Sequence, residues 1–497
     1  MSAGERAVIR VAVFLGGAML MALEISAFRI IGKTFGTALR ETTAVIAVFL
    51  AAMSLGYWAG GRAGDRWPRR STLVAVFLSA AATLLAVPPL DLFLSPRIAA
   101  SHVELATHAF LATSVLFAIP AFLFASISPI AIRLFATTTG ESGSTAGSIS
   151  AFSTFGSIAG SVLTAFVLID WLASITRTVI FIAIASCMTA AMLLPVRRLR
   201  VALAASVVLI VIPTAAFIQS ARNDRAMLAP VGGWRVLYTG DSAYHHIIVR
   251  ELAGKQRNLS FDAAVQSRMP LADPYGAGHA YTDAMHIARL MRPALRRILV
   301  IGLGGGTTPK QFVRYYDDTV VDVVDIDPLV VDVARRYFFV EPSERLRIHL
   351  ADGRTFVRDS RERWDLIIID AATTSRYGST IPPHLVTREF LTEVASHLER
   401  GGVLHFHCAF GTTKLMPALE KTIGAVFASV LVTRNEILAS DVALITTKET
   451  LAERARPLAA LPTLSAHIAE LRPVGRLDAL VLTDDYAPVD ALIGANR

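Results

Sequence analysis

The residues best equipped for chemistry lie between 298 and 370. Ile298-Leu-Val-Ile-Gly302-Leu-Gly304-Gly305-Gly306-Thr307 is an apolar run entering a glycine-rich turn and then a helix-like stretch. Glycine tolerates positive φ and lets a ligand touch the backbone, so Gly302, Gly304 and Gly306 are candidates for cradling a nucleoside. The next apolar run, about twenty residues on, ends in Val324-Asp325-Ile326-Asp327, where a carboxylate can accept from both ribose hydroxyls. Asp325 is assigned to the ribose, and Asp327 to capping the helix that follows. Ala351-Asp352-Gly353 offers a carboxylate that can accept from an adenine amino group. Trp364-Asp-Leu-Ile-Ile-Ile-Asp370 sets another at a strand end, the place where open α/β sheets bind ligands. The turn departs from the dinucleotide fingerprint, because Gly302-x-Gly304 is followed by Gly306 and then Pro309. Together the four elements fit an adenosyl-sulfonium compound better than NAD. His405 and His407 alternate on one face of a strand, but with no third ligand nearby they read as core or pocket-wall histidines, and no metal is expected. Two cysteines, Cys187 and Cys408, exclude a disulfide scaffold and any four-cysteine metal site.

These residues need a sheet to hold them. Arg296–Ile301, Val320–Ile326 and Leu366–Ile369 read as buried parallel strands. Helical patterns lie between and after them at 308–316, 328–337 and 387–399, so residues 291–497 read as a doubly wound α/β domain. A hairpin region precedes it at 226–290, with strand-like segments at Tyr244–Val249 and Asn258–Phe261. Residues 1–225 are different. Seven stretches there approach the ~20 residues needed to cross a bilayer, near 8–31, 41–61, 72–94, 106–135, 148–169, 174–194 and 199–219. The whole chain of 497 residues is 53% hydrophobic and 18% charged, with mean hydropathy +0.51, which excludes disorder. The expectation is a multi-pass membrane protein in contact with the lipid bilayer. Its net charge of +8 is assigned to arginines in cytoplasmic loops. No basic–aromatic interleaving accompanies that charge, so no nucleic-acid partner is expected. Gly56-x-x-x-Gly60 and Gly156-x-x-x-Gly160 have helix-packing spacing. Glu24 and Arg29 fall inside the first span, where partners from another helix are expected, and Pro120 and Pro129 predict a kinked or split fourth span.

From about 234 to 420 the chain resembles the spermidine synthase family of aminopropyltransferases, and in particular the bacterial membrane-fused members. Tyr244-His-His-Ile247 resembles the family's Tyr-Gln-x-Ile, and Phe261-Asp-Ala-Ala-Val-Gln266 its Leu-Asp-Gly-x-x-Gln. Tyr281-Thr-Asp283 resembles Tyr-His-Glu, Val324–Asp327 resembles Val-Glu-Ile-Asp, and Asp370-Ala-Ala-Thr373 resembles Asp-Ser-Ser-Asp. A C-terminal signature, Leu482-Thr-Asp-Asp485-Tyr-Ala-Pro488-Val-Asp490, belongs to the same likeness. The resemblance implies a small β-hairpin region leading into a Rossmann-like fold of the S-adenosylmethionine methyltransferase type. It implies decarboxylated S-adenosylmethionine or S-adenosylmethionine as co-substrate, held by Gln266, the glycine turn, Asp325, Asp352 and Gly353. It makes Tyr281 and Asp370 the catalytic residues flanking an amine acceptor, with Tyr244 and Asp283 on the substrate side. It also implies a homodimer.

Three departures bear on the acceptor. Gly305 stands where the family has an aspartate for the aminopropyl ammonium, Thr373 replaces the second aspartate, and His405-Phe-His407 lacks the acid found after the next strand. A diamine carries two charges that need opposed charges when partly desolvated, so the acceptor need not be putrescine. Methyl transfer to another acceptor, or binding of a polyamine or nucleoside without chemistry by a transporter or sensor, are the alternatives. Seven spans with basic loops after the second and sixth would put 226–497 outside, whereas intracellular donors favour a cytoplasmic domain; the cytoplasmic side is the expectation.

Overall fold

The computed structural model describes residues 2–35, 39–99, 105–135, 142–172, 174–194 and 232–494, apart from 243, 263, 277, 372, 376–377, 410–412, 445–446 and 476. The chain divides into two compact units, Met1–Met227 with Gly240–His245, and Leu228–Thr239 with His246–Arg497.

The first unit is helical. Its long helices are Ala3–Phe35, Leu39–Arg66, Arg70–Ala99, Leu105–Phe135, Ser142–Leu163 and Ile175–Met192. Among the described residues, six helices are long and apolar enough to cross a membrane. The seventh expected span, 199–219, lies outside the described residues. Both glycine pairs sit at close crossings. A Cβ on Gly56 or Gly60 would collide with the backbone of Phe122 or Ser126, and one on Gly156 or Gly160 with the carbonyls of Phe14 and Ala18. Only small residues let helix axes approach that far. The fourth helix is not split, since Leu105–Phe135 runs through Pro120 and Pro129 as one element. Covering helices make the loss of one N–H at each proline tolerable. Arg29 donates to the backbone carbonyls of Ser242 and Tyr244 at 2.7 Å each.

In the second unit, an antiparallel sheet comes first, in place of a simple hairpin. Strands β1 (Trp234–Asp241), β2 (His246–Leu252), β3 (Gln256–Phe261) and β4 (Ala264–Pro270) follow one another in order. Then come β5 (Arg297–Ile301), β6 (Val320–Asp325), β7 (Leu346–Leu350) and β8 (Trp364–Ile369). A two-stranded ribbon, β9 (Thr373–Ser375) with β10 (Gly378–Thr380), follows Asp370 directly. The remaining strands are β11 (Leu398–His407), β12 (Ser429–Val432), β13 (Glu436–Ser440) and β14 (Arg472–Pro473).

The main sheet has the order β14-β12-β13-β11-β8-β5-β6-β7. Its β7-β6-β5-β8-β11 portion is parallel. The other edge is antiparallel, a feature the apolar runs alone do not announce. Residues 298–301 and 366–369 are at most 2% exposed, because helices cover both faces; that explains their unbroken apolar character. Helices Thr307–Tyr315, Pro328–Tyr337 and Arg388–Ser396 stand within a residue or a few of the sequence patterns. Two cores result. One gathers Phe312, Val333 and Phe338 with β5 side chains, and the other gathers Trp364, Phe390 and Leu419 on the opposite face. Strand order reverses between β5 and β8, which opens a crevice at their C-terminal ends.

The first core contains a polar centre with a pH consequence. His286 is fully buried and stacks on Phe312 at 4.6 Å. Its Nε2 meets Gln311 Oε1 at 3.2 Å and its Nδ1 the Tyr316 hydroxyl at 3.0 Å, which assigns the ring proton to Nε2. Burial holds this imidazole down at about 4. Above the unfolded value of ~6.5 both states are neutral and stability is complete. As pH falls from there toward the folded value, only the unfolded chain takes the proton, so stability drops by ~1.4 kcal/mol per pH unit. Hydrogen-exchange protection of residues 281–291 is expected to fall over that window, and His286→Phe to flatten the fall; an equal slope in the variant contradicts the assignment.

Candidate active site

The crevice is built from two strand ends that touch. Gly302 follows β5 with φ +102°, and a Cβ there would run into the carbonyl oxygen of Asp370, which follows β8. Only glycine permits that approach and that conformation. Gly304 and Gly306 also have positive φ, +51° and +68°. The turn is held from three directions. Gly302 N–H donates to the Val324 carbonyl at 2.8 Å, Leu303 N–H donates to Asp325 Oδ2 at 2.9 Å, and Gly305 N–H donates to Ser267 Oγ at 2.8 Å. Ser267 belongs to β4, beside Gln266, so the antiparallel sheet braces the turn. Gln266 is half-buried on the same strand.

Asp325 is therefore aimed at the glycine turn. Its other oxygen, Oδ1, accepts from Asp327 N–H at 2.9 Å. Asp327 itself caps the next helix through Leu329 N–H, as its spacing suggests. Asp352 likewise caps a helix, accepting from Thr355 N–H at 2.9 Å, and its second oxygen lies 3.0 Å from His384 Nε2. Burial raises the Asp352 carboxyl, but those two partners outweigh it and hold the group below the ordinary range. A Cβ on Gly353 would press into the Ile301 side chain, so this glycine seats its helix against β5.

Tyr281 and Asp370 meet. The Tyr281 hydroxyl donates to Asp370 Oδ2 at 3.2 Å. Burial pushes the Asp370 carboxyl above its ordinary value, opposed by the nearby His407. Burial, reinforced by Asp370, pushes the Tyr281 phenol well above its ordinary value, so the phenol stays neutral and donates. Asp283 is engaged elsewhere. It is fully buried, and its Oδ2 accepts from Thr463 N–H at 2.9 Å and Thr463 Oγ at 2.6 Å. That carboxylate ties the C-terminal Leu464–Glu470 helix to the segment after β4. Tyr244 is grouped with the first unit, where its carbonyl accepts from Arg29.

Beneath Tyr281 lies a network that sequence reading did not find. Its ring stacks on His407, with centroids 4.0 Å apart and planes 18° off parallel. His407 Nδ1 is 2.8 Å from Glu436 Oε1, and His405 Nε2 is 3.1 Å from Glu436 Oε2. Glu436 and His405 are fully buried. Burial raises the Glu436 carboxyl, yet the two histidines outweigh it and hold the group below its ordinary range. Burial opposes charge on His407, yet Glu436 outweighs it and raises the imidazole. The histidines do share one strand face, as their spacing implies. Glu436 was missed because only the antiparallel register of β13, which sets it opposite His407, brings it there. Its signal was a lone acid opening an otherwise apolar strand. His279, 6.0 Å from the Tyr281 ring, completes the surroundings; burial holds it down at about 4. Among the described residues no group of three or more His, Cys, Asp or Glu could hold a metal ion.

The C-terminal signature folds back as a brace. Arg354 pairs with both Glu393 and Asp484 at 2.7 Å, and Leu482 N–H donates to Thr422 Oγ at 2.9 Å.

Residues 279–438 match the spermine/spermidine synthase domain. A polyamine aminopropyltransferase of Vibrio vulnificus is 30% identical over 289 residues, which span 54% of this chain and 95% of that protein. The chain belongs to the spermine/spermidine synthase family. Putrescine N-methyltransferase 2 of Nicotiana attenuata is 32% identical over 180 residues, 34% of this chain and 45% of that protein. A crystal structure of a probable spermidine synthase from Corynebacterium glutamicum is 20% identical at a TM-score of 0.39, covering 46% of this chain and 88% of that one. Family membership points to an aminopropyltransferase enzyme on a Rossmann-like, mixed-sheet fold.

Proposed function

We propose that the chain is an integral membrane transferase that moves an aminopropyl group from decarboxylated S-adenosylmethionine to an amine acceptor. The observation that carries this is the contact of Gly302 with the Asp370 backbone, which sets the glycine turn beside an acid–phenol pair. The amine nitrogen attacks the carbon next to the sulfonium in line. An N–C bond forms, the C–S bond breaks, and a neutral thioether leaves with the electron pair. The nitrogen must first be unprotonated, and Asp370 receives the proton it sheds. Tyr281 occupies Oδ2 of Asp370, which leaves Oδ1 for the amine. Holding the two reactants in line can supply ~7–11 kcal/mol of barrier reduction, so little other machinery is required. In this reading Gln266, Gly302, Gly304, Gly306, Asp325, Asp352 and Gly353 hold the nucleoside.

Methyl transfer from S-adenosylmethionine is the second reading. Gly305 favours it, because no carboxylate stands there to receive an aminopropyl ammonium, and one relative is named a putrescine N-methyltransferase. Product mass separates the two. Full-length protein in detergent, given putrescine and decarboxylated S-adenosylmethionine, is expected to yield spermidine and methylthioadenosine. N-methylputrescine from S-adenosylmethionine would replace the first reading with the second, and donor binding without turnover would replace both with a sensor or transporter role.

The bilayer is proposed as the partner of the six apolar helices. Trp58, Phe155 and Phe166 are 60–76% exposed on them, a surface that lipid would cover. The transferase region is proposed to face the cytoplasm, where its donors are made, and to dimerise as the family resemblance implies. A reporter fused after Arg497 reads the side: activity of a cytoplasm-only reporter supports it, and activity of a periplasm-only reporter contradicts it.

A further inference from the structure

We propose that His407, fixed by Glu436, is the positioning residue that aims the Tyr281 hydroxyl at Asp370. The inference rests on the transferase reading for its kinetic consequence, but its geometry stands alone. Tyr281 lies in the four-residue helix Tyr281–Ala284, too short to hold a side chain by itself. Its ring needs a surface to lie on, and His407 is that surface, nearly parallel at 4.0 Å. The imidazole plane is set in turn by its Nδ1 contact with Glu436 at 2.8 Å. Glu436 is anchored by its second oxygen on His405. The chain of contacts therefore runs from β11 and β13 through Glu436 and His407 to the ring whose hydroxyl sits on Asp370.

The arrangement also has a cost that simple packing would avoid. A fully buried carboxylate is expensive unless matched, and replacing such a cluster with apolar residues is often neutral or stabilising. Glu436 and His405 have no exposure at all, yet the chain puts them directly under the catalytic pair. The charged and titratable groups around His407 are Glu436 on β13, His405 on its own strand, Asp370 after β8, and Tyr281 and His279 from the segment after β4. His407 favours the ionised form of Asp370, against burial and the Glu436 carboxylate, which both raise it.

The test uses full-length His407→Ala, His407→Phe and His407→Phe/Glu436→Gln. A misplacement of about 1 Å can cost ~100-fold, so His407→Ala is expected to lower kcat by about that factor with the amine KM nearly unchanged. His407→Phe keeps a ring under Tyr281 and is expected to regain on the order of tenfold in kcat over His407→Ala once Glu436→Gln removes the stranded carboxylate. Donor affinity, measured by calorimetry, is expected to stay within about twofold of wild type, since the glycine turn is untouched. Structures of the variants give a readout that does not depend on turnover. In His407→Ala the Tyr281 hydroxyl leaves hydrogen-bond reach of Asp370, and in His407→Phe it remains. If wild type turns over nothing, the transferase reading fails while the structures still decide the positioning role. Wild-type kcat in His407→Ala, or a Tyr281–Asp370 hydrogen bond that survives there, overturns the proposal. Should His407→Ala fail to fold, His407→Ala/Glu436→Gln, which strands no buried carboxylate, decides the same question by the same two readouts.

Discussion

Asp370→Asn is expected to lower kcat by about 10²–10⁴, the range for losing a positioned proton acceptor. The substitution is nearly isosteric. Its amide oxygen can still accept from the Tyr281 hydroxyl, so the pair keeps its shape. Lost, in the proposed reaction, is the capacity to take a proton from the amine as nitrogen bonds to carbon. Donor affinity is expected to persist, because Gly302 packs against the backbone carbonyl of Asp370 and not its side chain. Tyr281→Phe should cost less, since the phenol orients Asp370 and does not exchange its proton. Steady-state kinetics with calorimetric donor titration checks both. A variant that binds donor and turns over at the wild-type rate would remove Asp370 from the chemistry.

Gly302→Ala is the second large effect, and it falls on the fold as well as the site. The new methyl meets the Asp370 carbonyl, which is backbone and cannot rotate aside. The φ of +102° adds strain that alanine tolerates poorly. Strain and overpacking each cost ~1–3 kcal/mol, so a total of roughly 2–6 kcal/mol is expected. Set against a typical stability of ~5–15 kcal/mol, that lowers the melting temperature sharply and abolishes donor binding. Gly304→Ala is the control. Its added methyl meets only Ser267 Oγ at 3.0 Å, which has to shift by a few tenths of an ångström, and its φ of +51° lies in the left-handed region that alanine reaches at a cost of roughly 1–2 kcal/mol. Thermal unfolding of the two variants should rank Gly302→Ala well below Gly304→Ala; the reverse order would mean that the two strand ends do not meet as described.

These contrasts follow how far the sequence could be read. Strands β5, β6 and β8 were legible because burial on both faces demands unbroken apolar runs. The glycine turn and Asp325 were legible because their spacing is local: strand, turn, helix and the next strand end. Asp327 was legible as a cap for the same reason. Register between distant strands was not. Glu436 reaches His405 and His407 only through antiparallel pairing with β11, and no local pattern encodes that partner. Asp283 follows the same logic in reverse, since motif position suggested substrate while a residue 180 positions later takes its oxygen. Asp352 is engaged by its own helix and by His384, so any adenine contact must share it. In the helical unit the fourth helix stays one element through both prolines, because the cover supplied by neighbouring helices is a tertiary property.

The crevice from Gly302 to Asp370 is proposed to grip an adenosine carrying a cationic sulphur. Isothermal titration of the purified protein with decarboxylated S-adenosylmethionine, with Asp325→Ala run alongside, reads that grip. One-to-one binding is expected in the wild type and a loss of at least tenfold in the variant, on the order of a lost charged hydrogen bond of ~1.5–3 kcal/mol. Equal binding by both proteins, or none by the wild type at millimolar donor, would contradict it.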